Sequence, residues 1–549
     1  MNTGRRRPAT SADRSPPAHL VDDPVEVSSQ DESVTEPTSD APAPFRLASL
    51  GSYSLMFAVV TVLTKAVSFI MLPVYTRYLL PAQYGAIELI EMSFDLLTMV
   101  AGARLLGGVF RYYYKAQTET ERHAVISTSA LMICGGYAVV GIGAFLAATP
   151  LAHIVLGDAR FAGLVRIGAL ALASQSLTSL PPALLRVQGR FRVVVVVQLA
   201  RLAMQVALNV LFLVHFRLGP SAIFLSTLLA NLCVGGVVLA MVIQPVGLHF
   251  SRHVAAALYR FGVPLIAVQA ATFILTFGDR PFLRAVTNLT SVGIYTMAYQ
   301  FAFALASLTQ TPFSLVWEPK RFEIATHANH DAIYARVFVY FNVVLLTGSL
   351  AVAMFVHDVL HVIATPPFFG ASDYVPVLVL SIILQGWAST QDIGILVSER
   401  TGYLAVANWV AAGVALVGYA ILIPRYALWG AAIATDIGYV VRYALTYWFS
   451  QRLWPVRYTW APVIRLLGIT AMTYALSGLI PWGPLVYMLP VRISLFVVYL
   501  IVVWYAGVLD PSDRAAALRM IAQFLTRTAD AADRSPLIAS ANGRPTSAA

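Results

Sequence analysis

From Leu47 to Leu509 the apolar residues run in blocks of about 20, the length an α-helix needs to cross a hydrocarbon core of roughly 30 Å. About fourteen such blocks can be drawn: 50–72, 86–109, 124–146, 164–185, 193–214, 221–243, 255–277, 292–316, 333–356, 375–397, 403–423, 428–449, 462–480 and 486–508. They predict an all-α polytopic membrane protein. The polar stretches between blocks are short, the longest being about 20 residues around Trp317 to Asp331, too short to fold as a domain of its own.

Polar residues inside the blocks recur at helical spacing. The second block carries Glu88, Glu91, Asp95, Thr98 and Gly102 on one face, and the first carries Ser54, Thr61, Lys65, Ser68 and Thr76. The fifth has Gln198, Arg201, Gln205 and Asn209, the seventh Gln269, Thr272, Thr276 and Asp279, the eighth Gln300, Ser307, Gln310 and Ser314, and the tenth Ser381, Gln385, Ser389, Asp392 and Glu399. In lipid such a stripe faces a helix contact or a water-filled cavity. Single Ser and Thr residues fit hydrogen bonding between helices. A charge at the centre of a spanning helix costs about 2.5–3.5 kcal/mol on insertion scales, so Lys65, Glu88, Glu91, Asp95, Arg104, Arg201, Asp392 and Asp436 are candidates for function. A structural ion pair of Lys65 with the acids of the second block is the alternative. The last two blocks have little beyond Thr470, Thr473 and Ser477, which puts them outside the working core.

Composition narrows the function classes. The chain has 549 residues, 58% hydrophobic and 12% charged, with 37 basic and 27 acidic residues for a net charge of +10. Lysine occurs only at Lys65, Lys115 and Lys320, so nearly all the positive charge is arginine, which stays protonated and grips phosphates in a fork. The arginines are spread over short loops and no basic fold module presents them, so nucleic acid is not the expected partner. The chain lacks GxxxxGK[ST], HExxH and GxSxG, which argues against a built-in ATPase, a zinc protease of that type and a serine hydrolase. Cys134 and Cys233 lie apart inside apolar blocks and suggest neither a disulfide framework nor a metal site.

The first 45 or so residues are rich in Pro, Ser, Asp, Glu and Thr and read as a disordered tail, as does the polar segment after Asp510 beyond a short amphipathic stretch. Alternate loops are richer in Lys and Arg, and these are retained on the cytoplasmic side. With an even number of spans both termini fall inside. The expected organisation is a cytoplasmic tail (1–46), a first lobe of six spans (47–243), a linker (244–254), a second lobe of six spans (255–450), two further spans (451–509) and a second cytoplasmic tail (510–549).

The stretch LPVYTRYLLPAQYGAIELIEMSFDLLTMVAGARL, residues 72–105, resembles the start of the bacterial polysaccharide-transport proteins, the oligosaccharide flippases of the multidrug/oligosaccharidyl-lipid/polysaccharide exporter superfamily. Pro73, Arg77, Leu79, Leu80, Tyr84 and Gly85 stand at that family's positions. A second stretch, LTFGDRPFLRAVTNLTSVGIYTMAYQFA (275–302), resembles the start of its second lobe, with Asp279 and Arg280 ending one helix and Gly293, Ile294 and Tyr295 opening the next. SFIMLPVYTR and TFILTFGDR are also related to each other by a gap of one residue, an internal repeat about 200 residues long that two pseudo-symmetric six-helix lobes would produce.

The resemblance implies two bundles around a central cavity that opens alternately to either side of the bacterial inner membrane, with two helices added at the end. The implied substrate is a polyprenyl-diphosphate-linked oligosaccharide for exopolysaccharide, capsule or O-antigen synthesis. Its diphosphate calls for fixed positive charge, which makes Lys65, Arg77, Arg104 and Arg280, with Arg201 and Arg284 behind them, the candidate headgroup contacts. Arg77 and Arg280 lie at helix ends, where release, lobe closure or simple snorkelling are the competing roles. No enzymatic activity and no cofactor are expected. Energy would come from an Na+ or H+ gradient or from consumption of the product, and Glu88, Glu91, Asp95, Asp392 and Asp436 are the candidate ion carriers. Membrane lipids, a polysaccharide polymerase and glycosyltransferases are the expected partners. Three rival readings are a cation-coupled drug antiporter of the same superfamily, against which Lys65 and Arg104 weigh; a peptidoglycan lipid II flippase; and a membrane polymerase or ligase, for which only His357 and His361 speak.

Overall fold

The computed structural model describes residues 47–99, 102, 105–480, 485–508 and 514; Arg104 and nearly all of both tails lie outside these. Among the described residues there are helices and no strand. The first half of the chain forms α1 (Leu47–Tyr78), α2 (Pro81–Thr98), α3 (Leu105–Lys115), α4 (Glu119–Leu146), α5 (Ala148–Leu156), α6 (Ala162–Ser174), α7 (Ser176–Val187), α8 (Phe191–Val210), α9 (Ser221–Ala230) and α10 (Val237–Ile243). The second half forms α11 (Arg252–Phe277), α12 (Asp279–Val286), α13 (Leu289–Ala325), α14 (His330–Ile363), α15 (Val375–Gln391), α16 (Ile393–Val397), α17 (Gly402–Leu453), α18 (Trp460–Gly478) and α19 (Leu485–Tyr505). Wide π turns at Leu211–His215 and Asn231–Gly236 interrupt two of the apolar blocks.

Local chemistry sets the helix starts. Pro81 occupies the first turn of α2, where its missing N–H costs nothing, and the Gln83 side chain accepts a hydrogen bond from the Leu80 amide at 3.0 Å. Thr118 and Glu121 form a reciprocal capping box at α4, Ser251 caps α11, and Asn288 caps α13. Helix α11 therefore begins three residues ahead of its apolar block.

Nine described helices, or ten if the pair Pro366–Asp373 and Val375–Val397 counts as one bent span, are long and apolar enough to cross a membrane. This is fewer than the expected fourteen, and α17 accounts for part of the difference. At 1.5 Å per residue a straight helix of 52 residues would be about 78 Å long, more than twice a hydrocarbon core. Ala427, with φ 48° and ψ −121°, breaks the run. Tyr419 and Thr435 share a hydrogen bond of 3.0 Å, although 16 residues of straight helix would hold them about 24 Å apart. The chain thus reverses at Ala427, and α17 is a helical hairpin containing both the eleventh and the twelfth block. Large apolar side chains such as Ile70, Val139 and Ile154 stay more than two-thirds exposed, as lipid-facing positions do. The chain is an all-α, multi-pass membrane protein.

Helices α2 to α10 pack mainly among themselves, as do α11 to α19, and the halves meet chiefly where α2 crosses α13 and where α3 and α4 pack on α11. The first crossing depends on two glycines. A Cβ on Gly85 would overlap the Leu289 carbonyl oxygen, and one on Gly293 the Pro81 carbonyl oxygen. Gly85 and Gly293 belong to the two resembling stretches, so the repeat brings its own glycines face to face. Gly293→Ala is expected to destabilise the protein by about 1–3 kcal/mol, seen as a lower unfolding temperature in detergent, because the backbone on both sides would have to move. Gly413→Ala, where a Cβ meets nothing within 4 Å, is expected to leave it unchanged.

Candidate functional site

Just beyond the glycine crossing lies a buried ion cluster. Arg280, at the start of α12, is 0% exposed, as is Asp279. Its Nη1 lies 2.9 Å from Asp279 Oδ1 and donates to the Thr276 carbonyl at 3.0 Å, while Nε lies 3.2 Å from Glu88 Oε1 on α2. The guanidinium also sits over the rings of Phe277 and Tyr299, 4.9 and 4.4 Å from their centroids. A charge this far from water persists only when paired and hydrogen-bonded. Glu88 is the part of this pairing supplied by the first half, so the cluster ties the halves together. Nearby, the Thr76 hydroxyl donates to the Ile363 carbonyl at 3.1 Å, and Thr365 donates to the Thr76 carbonyl at 2.7 Å. Arg284, one turn on from Arg280, donates from Nε and Nη2 to the Leu156 carbonyl at 3.0 and 2.6 Å. Gly157, at φ 71°, leaves the guanidinium room that a Cβ would fill. The end of the molecule where α1 turns into α2 is therefore closed by contacts between halves.

Within the first half, the stripes of α1 and α8 meet. Thr64, Ser68 and Tyr75 of α1 and Gln198, Arg201, Gln205 and Asn209 of α8 line one cavity of about 390 Å³, with Arg186 of α7 at its wall. Asn209 donates to the Tyr75 hydroxyl at 3.1 Å, Gln205 to Thr227 at 3.1 Å, and Arg201 Nε to Asn231 Oδ1 at 3.2 Å. On α2, Glu91 and Asp95 are exposed and, among the described residues, neither has an ion-pair partner; Glu91 is within electrostatic reach of Tyr75.

The other predicted residues are dispersed. Arg280, expected to meet a headgroup, is fully enclosed by protein groups and offers a ligand no surface in this arrangement. Arg284 is likewise engaged with a backbone carbonyl. Arg77 is exposed in the last turn of α1, where its charge complements the helix dipole. Lys65 lies within α1, and Arg104 is outside the described residues. In the second half, Asp392 pairs with Arg321 at 3.1 Å, and Asp436 on α17 is 6% exposed with no hydrogen bond to Oδ1 among the described residues. Three residues of this arrangement are not among the sequence candidates: Asp279, which pairs with Arg280, Arg186 at the cavity wall, and Asp358, which pairs with the buried Arg492 of α19.

The described residues thus form a fold of packed apolar helices in two halves, with a polar cavity in the first half and an end closed by contacts between the halves. The family of polysaccharide biosynthesis proteins matches residues 54–325, just under half of the chain, and this match supports a place in a polysaccharide-transport or flippase family. The lipid II flippase MurJ in an inward closed conformation has a similar fold, with a TM-score of 0.66 and 11% identity, covering 84% of this chain and 100% of that one. An inward-facing multidrug resistance MATE family transporter of the MOP superfamily aligns with a TM-score of 0.55 and 14% identity over 72% of this chain and 97% of that one. The uncharacterized membrane protein MJ1068 of Methanocaldococcus jannaschii is 23% identical over 258 residues, 44% of this chain, which spans about half the length (49%) of that relative.

Replacing Arg280 by Gln would leave Glu88 and Asp279 buried without their cation, and breaking a buried pair in this way costs about 3–5 kcal/mol. Glu88→Gln keeps Asp279 against Arg280 and is expected to cost less. Thermal unfolding of the two purified variants beside the parent tests the order, and an Arg280→Gln variant as stable as the parent would remove the cluster's structural role.

Proposed function

We propose that this protein moves a polyprenyl-diphosphate-linked oligosaccharide from the cytoplasmic to the outer leaflet of a bacterial plasma membrane, for export of a polysaccharide, by alternating access between its two halves. One observation carries the reading: a polar cavity walled by guanidinium, amide and hydroxyl groups lies inside an otherwise lipid-facing bundle whose halves are clamped at one end. Guanidiniums suit a diphosphate, amides and hydroxyls suit sugar, and the bilayer beside the bundle keeps the prenyl tail. The match of residues 54–325 to the family of polysaccharide biosynthesis proteins supports the polysaccharide pathway. Glycosyltransferases would supply the substrate and a polymerase would consume it. In this reading both termini are cytoplasmic, and the Glu88–Arg280 cluster closes the outer side.

Glu91, Asp95 and Asp436 are the proposed ion carriers, because they hold no ion pair among the described residues, whereas Glu88 and Asp392 neutralise arginines. Unpaired carboxylates in a membrane bundle are where Na+ or H+ coupling is sought.

The test places the purified protein in liposomes with labelled polyprenyl-diphosphate glycans, lipid II among them, and follows their accessibility from each side with and without Na+ or H+ gradients. Accelerated movement is expected. The Glu91→Gln/Asp95→Asn double variant should insert normally and lose the gradient-dependent part, with a drop of tenfold or more. Efflux of small organic cations with no movement of any lipid-linked glycan would assign the chain to drug transport instead.

A further inference from the structure

A second, chemically different groove lies on the second half, between α13 and α14. It encloses about 550 Å³, and none of its residues belongs to the polar cavity of the first half. It opens sideways, because Leu308, Val316 and Val344 at its lips are more than half exposed, as lipid-facing positions are. Its chemistry is ordered along the helices. Lys320 stands at the end nearest the turn into α14, and Trp317 and Tyr340 come next. Beyond them the walls are apolar as far as Leu308, apart from Thr309, whose hydroxyl is engaged with the Leu305 carbonyl at 2.8 Å. Twelve residues separate Lys320 from Leu308, about 18 Å of helix, slightly more than one leaflet's share of a hydrocarbon core of about 30 Å. Lys320 is exposed and, among the described residues, has no ion-pair partner. Of its charged neighbours in sequence, Glu318 lines a different cavity with Gln310 and Gln385, Arg321 is taken up by Asp392, and Glu323 is exposed without pairing to the lysine. Two donors in the groove wall, Trp317 Nε1 and Tyr340 Oη, are buried and carry no hydrogen bond among the described residues, which is unfavourable in apolar surroundings.

A cation, then two hydrogen-bond donors, then an apolar channel match the order of groups in a phospholipid: phosphate, ester carbonyls, alkyl chain. We propose that this groove is a site for an anionic phospholipid of the cytoplasmic leaflet, with its phosphate against Lys320 and one chain lying along α13 and α14 towards Leu308. Its ester carbonyls meet Trp317 and Tyr340 when either side chain turns towards the groove. Basic groups between spanning helices on the cytoplasmic side hold anionic headgroups, whereas a zwitterionic headgroup brings its own ammonium against the lysine. A prenyl tail whose diphosphate sits in the first half leaves Lys320 unpaired, as does the apolar face of a second copy of this chain. The flippase reading enters only in placing this end of α13 on the cytoplasmic side. The groove runs past Pro312 and Pro319 of α13, the helix whose opposite end carries Gly293 at the crossing with α2. The bound lipid therefore packs against the helix on which the two halves meet, and it is distinct from any lipid that is transported.

Trp317 reports on the site directly. The full-length protein is placed in phosphatidylcholine nanodiscs containing increasing fractions of phosphatidylglycerol or phosphatidylcholine with brominated chains, which quench a tryptophan on contact. The difference between each protein and its W317F counterpart isolates the signal of Trp317 from the other tryptophans. Brominated phosphatidylglycerol is expected to quench Trp317 saturably, at fractions about fivefold lower than brominated phosphatidylcholine, the preference that one basic group near the headgroups supplies. K320Q, at an exposed position, is expected to erase that preference while leaving quenching by phosphatidylcholine unchanged. V344F, which fills the groove from a half-exposed position, is expected to reduce quenching by both lipids. Equal quenching by the two lipids in the parent, or an undiminished preference in K320Q, overturns the proposal. So does undecaprenyl phosphate restoring the fluorescence more effectively than unbrominated phosphatidylglycerol, which would give the groove to a prenyl tail. Quenching by neither lipid, with a dimer trapped by cross-linking at Val316, would give it to a second copy of the chain. None of these readouts needs transport, so absence of glycan movement in liposomes removes the flippase reading alone, and loss of the lipid preference removes this site alone.

Discussion

A guanidinium with no exposure to water, inside a protein that is itself surrounded by lipid, constrains everything near it. Arg280 is tolerable only with carboxylates and carbonyls in hydrogen-bond range; Asp279 beside it on α12 supplies a carboxylate and Thr276 at the end of α11 a carbonyl. The second carboxylate, Glu88, comes from α2. For Glu88 to arrive, α2 must lie almost backbone to backbone against α13, and this is possible because Gly85, three residues earlier on α2, meets Gly293 there. Electrostatics and close approach are thus one requirement. The aromatic rings of Phe277 and Tyr299 complete the shell with the negative faces that a cation prefers.

The helices were legible because lipid leaves few alternatives: a block of about 20 apolar residues has to satisfy its own backbone hydrogen bonds. The turn at Ala427 was legible only as a gap between two blocks, since neither Pro424 nor Ala427 announces a reversal as tight as the one the Tyr419–Thr435 bond demands. The polar stripes on the first and fifth blocks were read separately, and the structure shows that they share a cavity wall. Which charge meets which was not legible. Periodicity gives the face of one helix, while an ion pair depends on two helices and their register. Glu88, Glu91 and Asp95 look alike in the stripe of α2, yet among the described residues only the first pairs with an arginine. Arg186 was hidden for a related reason. An arginine at the end of a span reads as a topology charge, although Arg186 lies at the wall of a cavity.

The repeat explains why the halves join where they do and why they differ. In the first half α1 passes into α2 through two residues, Leu79 and Leu80, and leaves Arg77 exposed. In the second, the corresponding Arg280 lies on a separate short helix, α12, between α11 and α13, and is held inside together with Asp279. One copy of the motif therefore presents its arginine at the surface and the other locks it inside. Helix α12 also brings Arg284 to the Leu156 carbonyl, a second contact between halves that uses a helix C-terminus, where a cation is favoured.

Contacts within a half and contacts between halves are built to behave differently. Arg492 with Asp358, and Tyr499 with Thr347 and Thr470, bind α19 and α18 to α14, so the last two helices belong to the second half and can move with it. In the proposed alternating access, none of these contacts has to break when the halves separate. The Glu88–Arg280 contact would, and it differs in having a partner held in reserve: Asp279 is adjacent in sequence to Arg280 and stays with it. Parting the halves therefore leaves the arginine paired and frees only the glutamate, which sits on the same helix face as Glu91 and Asp95. A buried salt bridge whose cation keeps a second anion can open and close at a cost well below that of stranding a charge. A clamp between moving halves needs this property, and a purely structural pair does not.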